Sequence, residues 1–455
     1  MEQYEDKNVL MARTIAARVA EAGGRTFYVG GLVRDHILGR ENKDVDIEIH
    51  GITPETLLAI LESLGEVIKT GVSFGVFGLK SYEIDIAMPR KETASGRGRK
   101  DFEIDVDPFL GYEKAAMRRD FTMNAMMEDV LTGEVLDFFS GRQDMQNRLI
   151  RHVNDQTYRE DALRVLRAAQ FAARFGFCIA EETSALSRTM ALEALASERI
   201  LGEMNKAMLK AEKPSVFFEE LRKMDQLSTW FPEAEALIGV PQSPIHHPEG
   251  DAWVHTMMVL DAAARLRKEA VYPEGFMLAA LTHDLGKAVC TQTQPDGKIT
   301  AYGHEVAGRP LCRSLMGRLT DDAALTDYVD NMVWLHMRPN ILAKCRSKRK
   351  KTRQLFDLSR CPEDLILLSR ADASGKLDEP YDEALEVFLR QRLEDYRRVM
   401  ARPTVTRDDL LAAGFPPGEA LEKALQRARQ LHFSGFDRQK ALRQVVAEAG
   451  RLVQS

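Results

Sequence analysis

Between Phe27 and Gly51 the chain reads FYVGGLVRDHILGRENKDVDIEIHG, and no other stretch limits its possible folds so tightly. Two apolar runs, Thr26 to Val29 and Val45 to Ile49, have the composition of strands. Gly30-Gly31 between them opens a short helical segment, Leu32 to Leu38, so the unit is strand, turn, helix, strand. In the second strand Val45, Ile47 and Ile49 alternate with Asp44, Asp46 and Glu48. Side chains of a strand switch faces at every residue, so one face is apolar and the other sets Asp44 and Asp46 roughly 7 Å apart. Two such carboxylates repel each other, and a divalent cation between them relieves the repulsion. A solvated edge strand whose acids block aggregation gives the same pattern. The glycine pair favours the cation, because residues without a Cβ let backbone N–H groups approach an anion at a helix start.

The neighbouring segments extend this unit. Residues 8 to 22 have helical spacing and stop at Gly23-Gly24, and Leu57 to Leu64 is a second helix started by Thr53-Pro54-Glu55. Val72 to Leu79 and Tyr82 to Ala87 read as a hairpin across Lys80-Ser81, and the second strand offers Asp85 as a third carboxylate. Pro89 to Lys100, PRKETASGRGRK, has no apolar period and reads as a mobile basic loop. Met117 to Met127, MRRDFTMNAMM, sets Arg118, Arg119, Asp120 and Asn124 together at an expected helix start, a grouping that suits a triphosphate or forms a capped surface ion pair. Val135 to Phe138 is the last strand expected in this region, with Asp137, Gly141 and Asp144 at the junction after it. From Leu149 onward strand patterns cease.

GGLVRD followed by DVDIEI resembles the active-site signature of the class II tRNA nucleotidyltransferase and poly(A) polymerase family, within the DNA polymerase beta superfamily. RRDFTMNA is similar to the same family's second motif. The resemblance implies that Asp44 and Asp46, with Asp85, are the catalytic acids and hold magnesium. It implies that Gly30, Gly31, Arg34, Arg118, Arg119, Asp120 and Asn124 position the phosphates and sugar of ATP or CTP. Glu160 to Phe175, EDALRVLRAAQFAARF, resembles the family's EDxxR motif, in which Asp161 and Arg164 would act as a protein template for cytosine or adenine, with Arg167 in the same nucleotide-binding set. Arg supplies only donors and ionised Asp only acceptors, so the pair can match either base's mixed edge. Taken without that resemblance, an Asp and Arg three apart on a helix are an ordinary exposed pair. Gln170 departs from the family, which more often has arginine there.

The middle of the chain spreads His255, His283, Asp284, His304, His336 and Asp372 over helical segments. Single histidines on helices are ordinary core or surface residues. The adjacent His283-Asp284 pair within H…HD…H…H…D resembles the HD metal-dependent phosphohydrolase superfamily. That resemblance implies manganese, nickel, cobalt or iron, with Asp284 able to bridge two ions and Lys287 able to meet a phosphate.

Composition narrows the rest. At 455 residues, 44% hydrophobic and 29% charged, the chain needs three or four domains. No apolar run approaches the roughly 20 residues of a membrane span, and MEQYEDKNVL lacks the order of a signal peptide, so no membrane partner and a cytoplasmic location are expected. Five scattered cysteines without a CxxC fit reduced thiols and exclude a zinc finger. A net charge of −6 argues against a protein coated for bulk nucleic-acid binding. RNA contact then falls to local patches such as Lys344 to Arg353, KCRSKRKKTR, unless that run is merely a solvated face. The tail from Val405, VTRDDLLAAGFPPGEALEK, is similar to the family's ITGxDLxxxGxxPGPxxG, with Arg407 and Glu419 as departures.

The expected architecture is α+β: a polymerase-beta-like head with a small mixed sheet and helices (1–143), then an all-helical neck (144–235), HD domain (236–400) and tail (401–455). The implied reaction is transfer of CMP and AMP from CTP and ATP to the 3′ end of tRNA, with release of pyrophosphate. A poly(A) polymerase, or an enzyme adding only C or only A, would carry the same motifs. A reading of another class makes the HD domain the main enzyme, a phosphohydrolase, and the head a substrate-binding module. A non-catalytic RNA-binding protein is disfavoured by the low basic content.

Overall fold

The computed structural model describes residues 6–71, 76–94, 102–245, 247–376 and 381–449. It divides into two compact units, Met1–Leu195 and Ala196–Ser455, a division that falls inside the expected neck.

The first unit carries strands β1 (Arg25–Val29), β2 (Val45–His50), β3 (Val67–Gly71), β4 (Val76–Leu79), β5 (Ile84–Ala87), β6 (Arg90–Ala94), β7 (Phe102–Val106), β8 (Met127–Asp129) and β9 (Val135–Leu136). Seven of them form one mixed sheet in the order β3-β4-β5-β2-β1-β8-β9. Strand β2 runs antiparallel to β1 and parallel to β5, and the parallel register sets Asp46 opposite Asp85. Parallel neighbours need a long crossover; here it comprises the helix Pro54–Leu64 and the strands β3 and β4. That helix begins with Pro54 and is capped by Thr53, while Asp6 caps the helix Lys7–Glu21, and both pack beside the sheet. Ile47 and Ile49 are fully buried, and so is Phe27, which pairs with Glu48 on the other face of the sheet.

The turn after β1 requires glycine: Gly30 has φ +65° and ψ −125°, a region that side chains with a Cβ avoid. The helix it opens, Gly31–Ile37, lies where the sequence predicts it.

Three expectations change. The segment read as a basic loop forms an antiparallel ribbon of β6 and β7, pairing Arg90 with Val106 and Ala94 with Phe102. Its signal was Phe102, Ile104 and Val106 alternating with Glu103 and Asp105, overshadowed by the glycines and cations before it. Residues 95–101, and 72–75 of the expected hairpin, lie outside the described residues. Arg118 and Arg119 follow the end of the helix Tyr112–Met117 instead of starting one, and Thr122–Asn124 is a single 3₁₀ turn. The region expected to be wholly helical contains two short strand pairs, Leu149–Ile150 with Cys178–Ile179 and Gln292–Thr293 with Ile299–Thr300.

The second unit is built on the helices Ala252–Leu266, Pro273–Thr282, His304–Leu319, Ala323–Leu335 and Pro362–Ser374. Two glycines let its segments approach closely. A Cβ at Gly375 would stand 2.5 Å from Val259 Cγ2 and 2.9 Å from its nitrogen, where the helices bearing His255 and Asp372 meet. A Cβ at Gly286 would stand 2.6 Å from the Gly308 nitrogen and closer still to the His304 carbonyl oxygen. Towards the end of the chain the helices Arg407–Ala412, Glu419–Phe433 and Arg438–Ala447 share a small core around Leu410, Leu421 and Val445. Among the described residues no helix is long and apolar enough to cross a membrane.

Gly286→Ala forces a methyl group against backbone that cannot move without displacing the His304 helix. We expect a loss of about 3 kcal/mol in urea unfolding of the second unit's transition; a change within about 0.5 kcal/mol would show that the two segments part freely.

Candidate functional site

In the first unit the polar face of β2 runs from solvent into the interior. Asp44 just before the strand is exposed, Asp46 is half-buried, and Glu48 and His50 are buried. Asp85 on β5 is exposed opposite Asp46. Burial and the negative charges of Asp85 and Asp44 push the Asp46 carboxyl upward, against the pull of Arg119. A cation would remove that mutual repulsion, so the donor set fits a hard, oxygen-bound divalent metal held by Asp44, Asp46 and Asp85. The three acids do not close on one point: no trio of ligand atoms within 4.8 Å includes them among the described residues. At the same corner a Cβ on Gly30 would meet Arg119 Nη1 at 3.7 Å and Asp46 Oδ2 at 3.9 Å, while one on Gly31 would lie 3.6 Å from Arg34 Nη2.

Several expected phosphate ligands are turned inward. Arg34 is 5% exposed; its Nε and Nη2 donate to Asp35 at 2.9 and 3.0 Å and its Nη1 donates to Asn124 Oδ1 at 2.8 Å. Asn124 Nδ2 donates to Asp120 Oδ1 at 2.9 Å, and Arg167 closes on Asp120 Oδ2 through Nε at 2.7 Å and Nη2 at 2.6 Å. Burial alone would raise the Asp120 carboxyl, but the Arg167 charge and these hydrogen bonds hold it below the usual range. Arg34, Asp120, Asn124 and Arg167 thus form one internal network.

Arg118, Arg119 and Arg164 face a cavity of about 270 Å³ together with Arg90 and Glu48. Arg164 lies there with Nη1 and Nη2 donating to the carbonyls of Thr157 and Arg118 at 2.7 and 2.8 Å. Asp161 caps the following turn, accepting from the Leu163 nitrogen at 3.0 Å. Glu48 was passed over in the sequence because it looks like one more polar residue in an alternating strand. Here it accepts from Arg119 Nη2 at 2.8 Å and His50 Nε2 at 2.9 Å. Against the cost of burial, Arg119 and His50 hold its carboxyl down at about 2.

In the second unit all six expected HD residues converge. Nδ1 of His283, His304 and His336 lies 2.9, 2.7 and 2.7 Å from the carbonyl oxygens of Ala280, Ala301 and Val333. A carbonyl only accepts, so Nδ1 carries a hydrogen, and in the neutral ring Nε2 keeps its lone pair for an ion. Those Nε2 atoms sit 3.2, 3.2 and 3.7 Å from oxygens of Asp284. His255 Nε2 faces Asp372 at 3.1 Å and Asp284 at 3.7 Å. Lone pairs of neutral imidazoles aimed at carboxylate oxygens repel, and the buried His283 Nε2 has no hydrogen-bond partner. Imidazole and carboxylate donors so arranged fit a transition metal, and they fall into two separate trios, His255 with His283 and Asp372, and Asp284 with His304 and His336. Glu249, which no sequence spacing marks, accepts from Nδ1 of both His255 and His247 at 2.8 Å. Such an outer carboxylate orients a ligand ring. Lys287 donates to Asp284 and to Gln242, both at 2.6 Å, so its charge is already engaged. The cluster opens into a cavity of about 540 Å³ whose walls carry Tyr302, Lys344 and Lys376.

Comparison with known proteins adds an independent line. Residues 26–151 match the poly A polymerase head domain, and residues 176–238 match the probable RNA and SrmB-binding site of polymerase A. The multifunctional CCA protein of Actinobacillus pleuropneumoniae is 39% identical over 362 residues, covering 77% of this chain and 85% of the relative. That of Thioalkalivibrio sulfidiphilus is 35% identical over 447 residues, covering 94% and 100%. The chain also has the fold of the Bacillus stearothermophilus CCA-adding enzyme in complex with CTP, with a TM-score of 0.68 at 21% identity over 99% of both chains. For the Thermotoga maritima CCA-adding enzyme complexed with tRNA-CCA the TM-score is 0.62 at 18% identity, covering 98% and 97%.

The internal network makes its own prediction. Arg167→Met strands the Asp120 charge in the interior and should cost the first unit about 3 kcal/mol at pH 7. Asp120 has a depressed folded pKa, so its contribution is present above its unfolded value of about 3.9 and is lost as pH falls below that. Denaturant melts should therefore show the deficit shrinking below about pH 4; a deficit that is flat with pH would assign the loss to packing.

Proposed function

The chain belongs to the family of the multifunctional CCA proteins, and from that premise we propose that it completes the 3′ end of tRNA by transferring CMP and AMP from CTP and ATP, releasing pyrophosphate. The observation that carries this reading is the corner where Asp46 stands opposite Asp85, beside the Gly30 turn and Arg119. Asp44, Asp46 and Asp85 would hold magnesium there. Bound, the metal would lower the pKa of the terminal ribose hydroxyl and neutralise charge on the triphosphate. The chain's own contribution is placement. Gly30 and Gly31 leave room for phosphate oxygens, and Arg118 and Arg119 face the cavity with cationic donors. Arg34, Asn124, Asp120 and Arg167 keep that frame rigid from behind. Asp161 and Arg164 would present acceptor and donor groups to the base edge. The terminal hydroxyl attacks the α-phosphorus and the bond to the bridging oxygen breaks, so the catalysis rests mainly on positioning and electrostatics.

In this reading 1–143 is the catalytic head, 144–235 the neck, 236–400 the HD domain and 401–455 the tail. The free, scattered cysteines suit a reducing cytoplasm. A second activity is favoured by one feature of the HD cluster: Nε2 lone pairs converging on Asp284 beside an open cavity. We infer metal-dependent phosphohydrolysis there, with manganese, nickel, cobalt or iron as the ion.

Asp46→Ala should lower incorporation of labelled ATP into tRNA lacking its terminal adenosine by about a thousandfold, with an unchanged melting profile. Incorporation at the wild-type rate would remove the head from the reaction. The double change His283→Ala with Asp284→Ala should abolish nickel- or manganese-supported phosphatase and phosphodiesterase turnover while leaving nucleotide addition in magnesium intact. Loss of addition by that folded variant would show the two activities to be coupled.

A further inference from the structure

We infer that Glu48 is a positioning residue for nucleotidyl transfer: it holds Arg119 towards the substrate phosphates and away from the metal-binding carboxylate Asp46. The inference rests on the head being the transfer site. Three features of the structure carry it. First, among the described residues the Arg119 guanidinium is fixed by Nη2 donating to Glu48 Oε2 at 2.8 Å. Its Nη1 lies by the Gly30 turn, where one position is 3.7 Å from that nitrogen and 3.9 Å from Asp46 Oδ2. Second, Glu48 is itself fixed. It is 7% exposed, and its other oxygen accepts from His50 Nε2 at 2.9 Å. The His50 ring is boxed edge-on by Phe27 and Tyr112, with centroids 5.6 and 5.0 Å away. Third, among the described residues lining a cavity that also carries Arg90, Arg118, Arg119 and Arg164, Glu48 is the one acid.

These positions set a competition. Asp46 is the nearest other carboxylate to Arg119 on this face of β2. Without the Glu48 charge, the attraction between Arg119 and Asp46 would go unopposed and would draw Arg119 onto Asp46. An arginine paired with Asp46 would displace the metal and withdraw a donor from the triphosphate together. With Glu48 in place, each of the two charges serves its own partner: Asp46 the cation, Arg119 the anion.

The test is steady-state addition of AMP to tRNA lacking its terminal adenosine, titrating magnesium and ATP separately. Glu48→Gln keeps the shape and removes the charge. It should raise the half-saturating magnesium concentration and the KM for ATP roughly tenfold each, with a smaller effect on kcat at saturation. Arg119→Gln should raise the KM for ATP and leave the magnesium requirement near wild type. The double variant should match Arg119→Gln, because no cation is left to occupy Asp46. A Glu48→Gln protein with reduced kcat and an unchanged magnesium requirement would overturn the inference and leave Glu48 a structural buried acid. A double variant that keeps the raised magnesium requirement would overturn it as well. Should Glu48→Gln fail to fold, His50→Leu loosens the same carboxylate and should shift the magnesium requirement in the same direction by a few-fold; no shift counts against the inference. Asp46→Ala separates the underlying assumption: if that variant still adds AMP, the head is not the transfer site, whereas its inactivity alongside a normal Glu48→Gln sinks the positioning role alone.

Discussion

The first unit depends on one buried carboxylate. Asp120 gathers Arg167 from the helix Leu163–Phe175 and Asn124 from the turn after the RRD motif, and Asn124 passes the link on to Arg34 behind the glycine turn. Three segments far apart in sequence are thereby fixed to one another at hydrogen-bond precision. Aromatic packing closes the same joint: Phe121 meets Phe171 edge-on at 5.7 Å, and the Arg34 guanidinium lies 4.7 Å from the Phe175 ring centre. A buried ion pair is weak evidence for net stability, since desolvation offsets much of its attraction. Its value here is geometric: both oxygens of Asp120 are taken by groups that these segments supply.

The two candidate sites solve opposite problems of preparation. The head acids are open and carry no fixed trio of ligand atoms, which suits a hard cation that arrives with a nucleotide and keeps much of its water. The histidine cluster is buried and prearranged, and its tautomers are set before any ion binds. His283 and His336 stand at helix C-termini and His304 at a helix start, and each donates Nδ1–H to the carbonyl three residues earlier. Helix C-termini leave carbonyls without intrahelical partners, so helix ends supply acceptors for His283 and His336 and the loop carbonyl of Ala301 serves His304, all at no cost in side chains. His255 lies in the first turns of its helix, where no such carbonyl is free, and Glu249 takes that part.

This difference also explains what the sequence could disclose. Period-two alternation made Asp46 and Asp85 visible, and the spacing of His283-Asp284 among other histidines made the second cluster visible, because both are patterns along the chain. Glu249 was invisible: a glutamate in HHPEGD is unremarkable until His255 and His247 both turn towards it. The internal network of Arg34, Asp120, Asn124 and Arg167 was hidden for a related reason. Charge and amide groups near a glycine turn suit a phosphate or each other equally well, and only burial decides between them. The β6–β7 ribbon was lost because glycines and cations dominate the sequence leading up to Phe102, although Phe102 to Val106 alternate cleanly.

Glu48 shows where strand patterning stops being informative. Along β2 the acids repeat every second residue, yet the environment changes from water at Asp44 to interior at His50 within the strand's own length. The same chemical group therefore serves different ends on one face: at the exposed end it repels its neighbours and calls for a cation, and at the buried end it pairs with Arg119. The arginines around Glu48 then form a wall of opposite sign beside the open acids. A metal ion alone would be repelled by that wall, and a free triphosphate by the acids. Their complex presents a cation to one and an anion to the other, so the site's electrostatics favour the metal–nucleotide pair over either component, in a chain whose overall charge of −6 would otherwise turn nucleotides away.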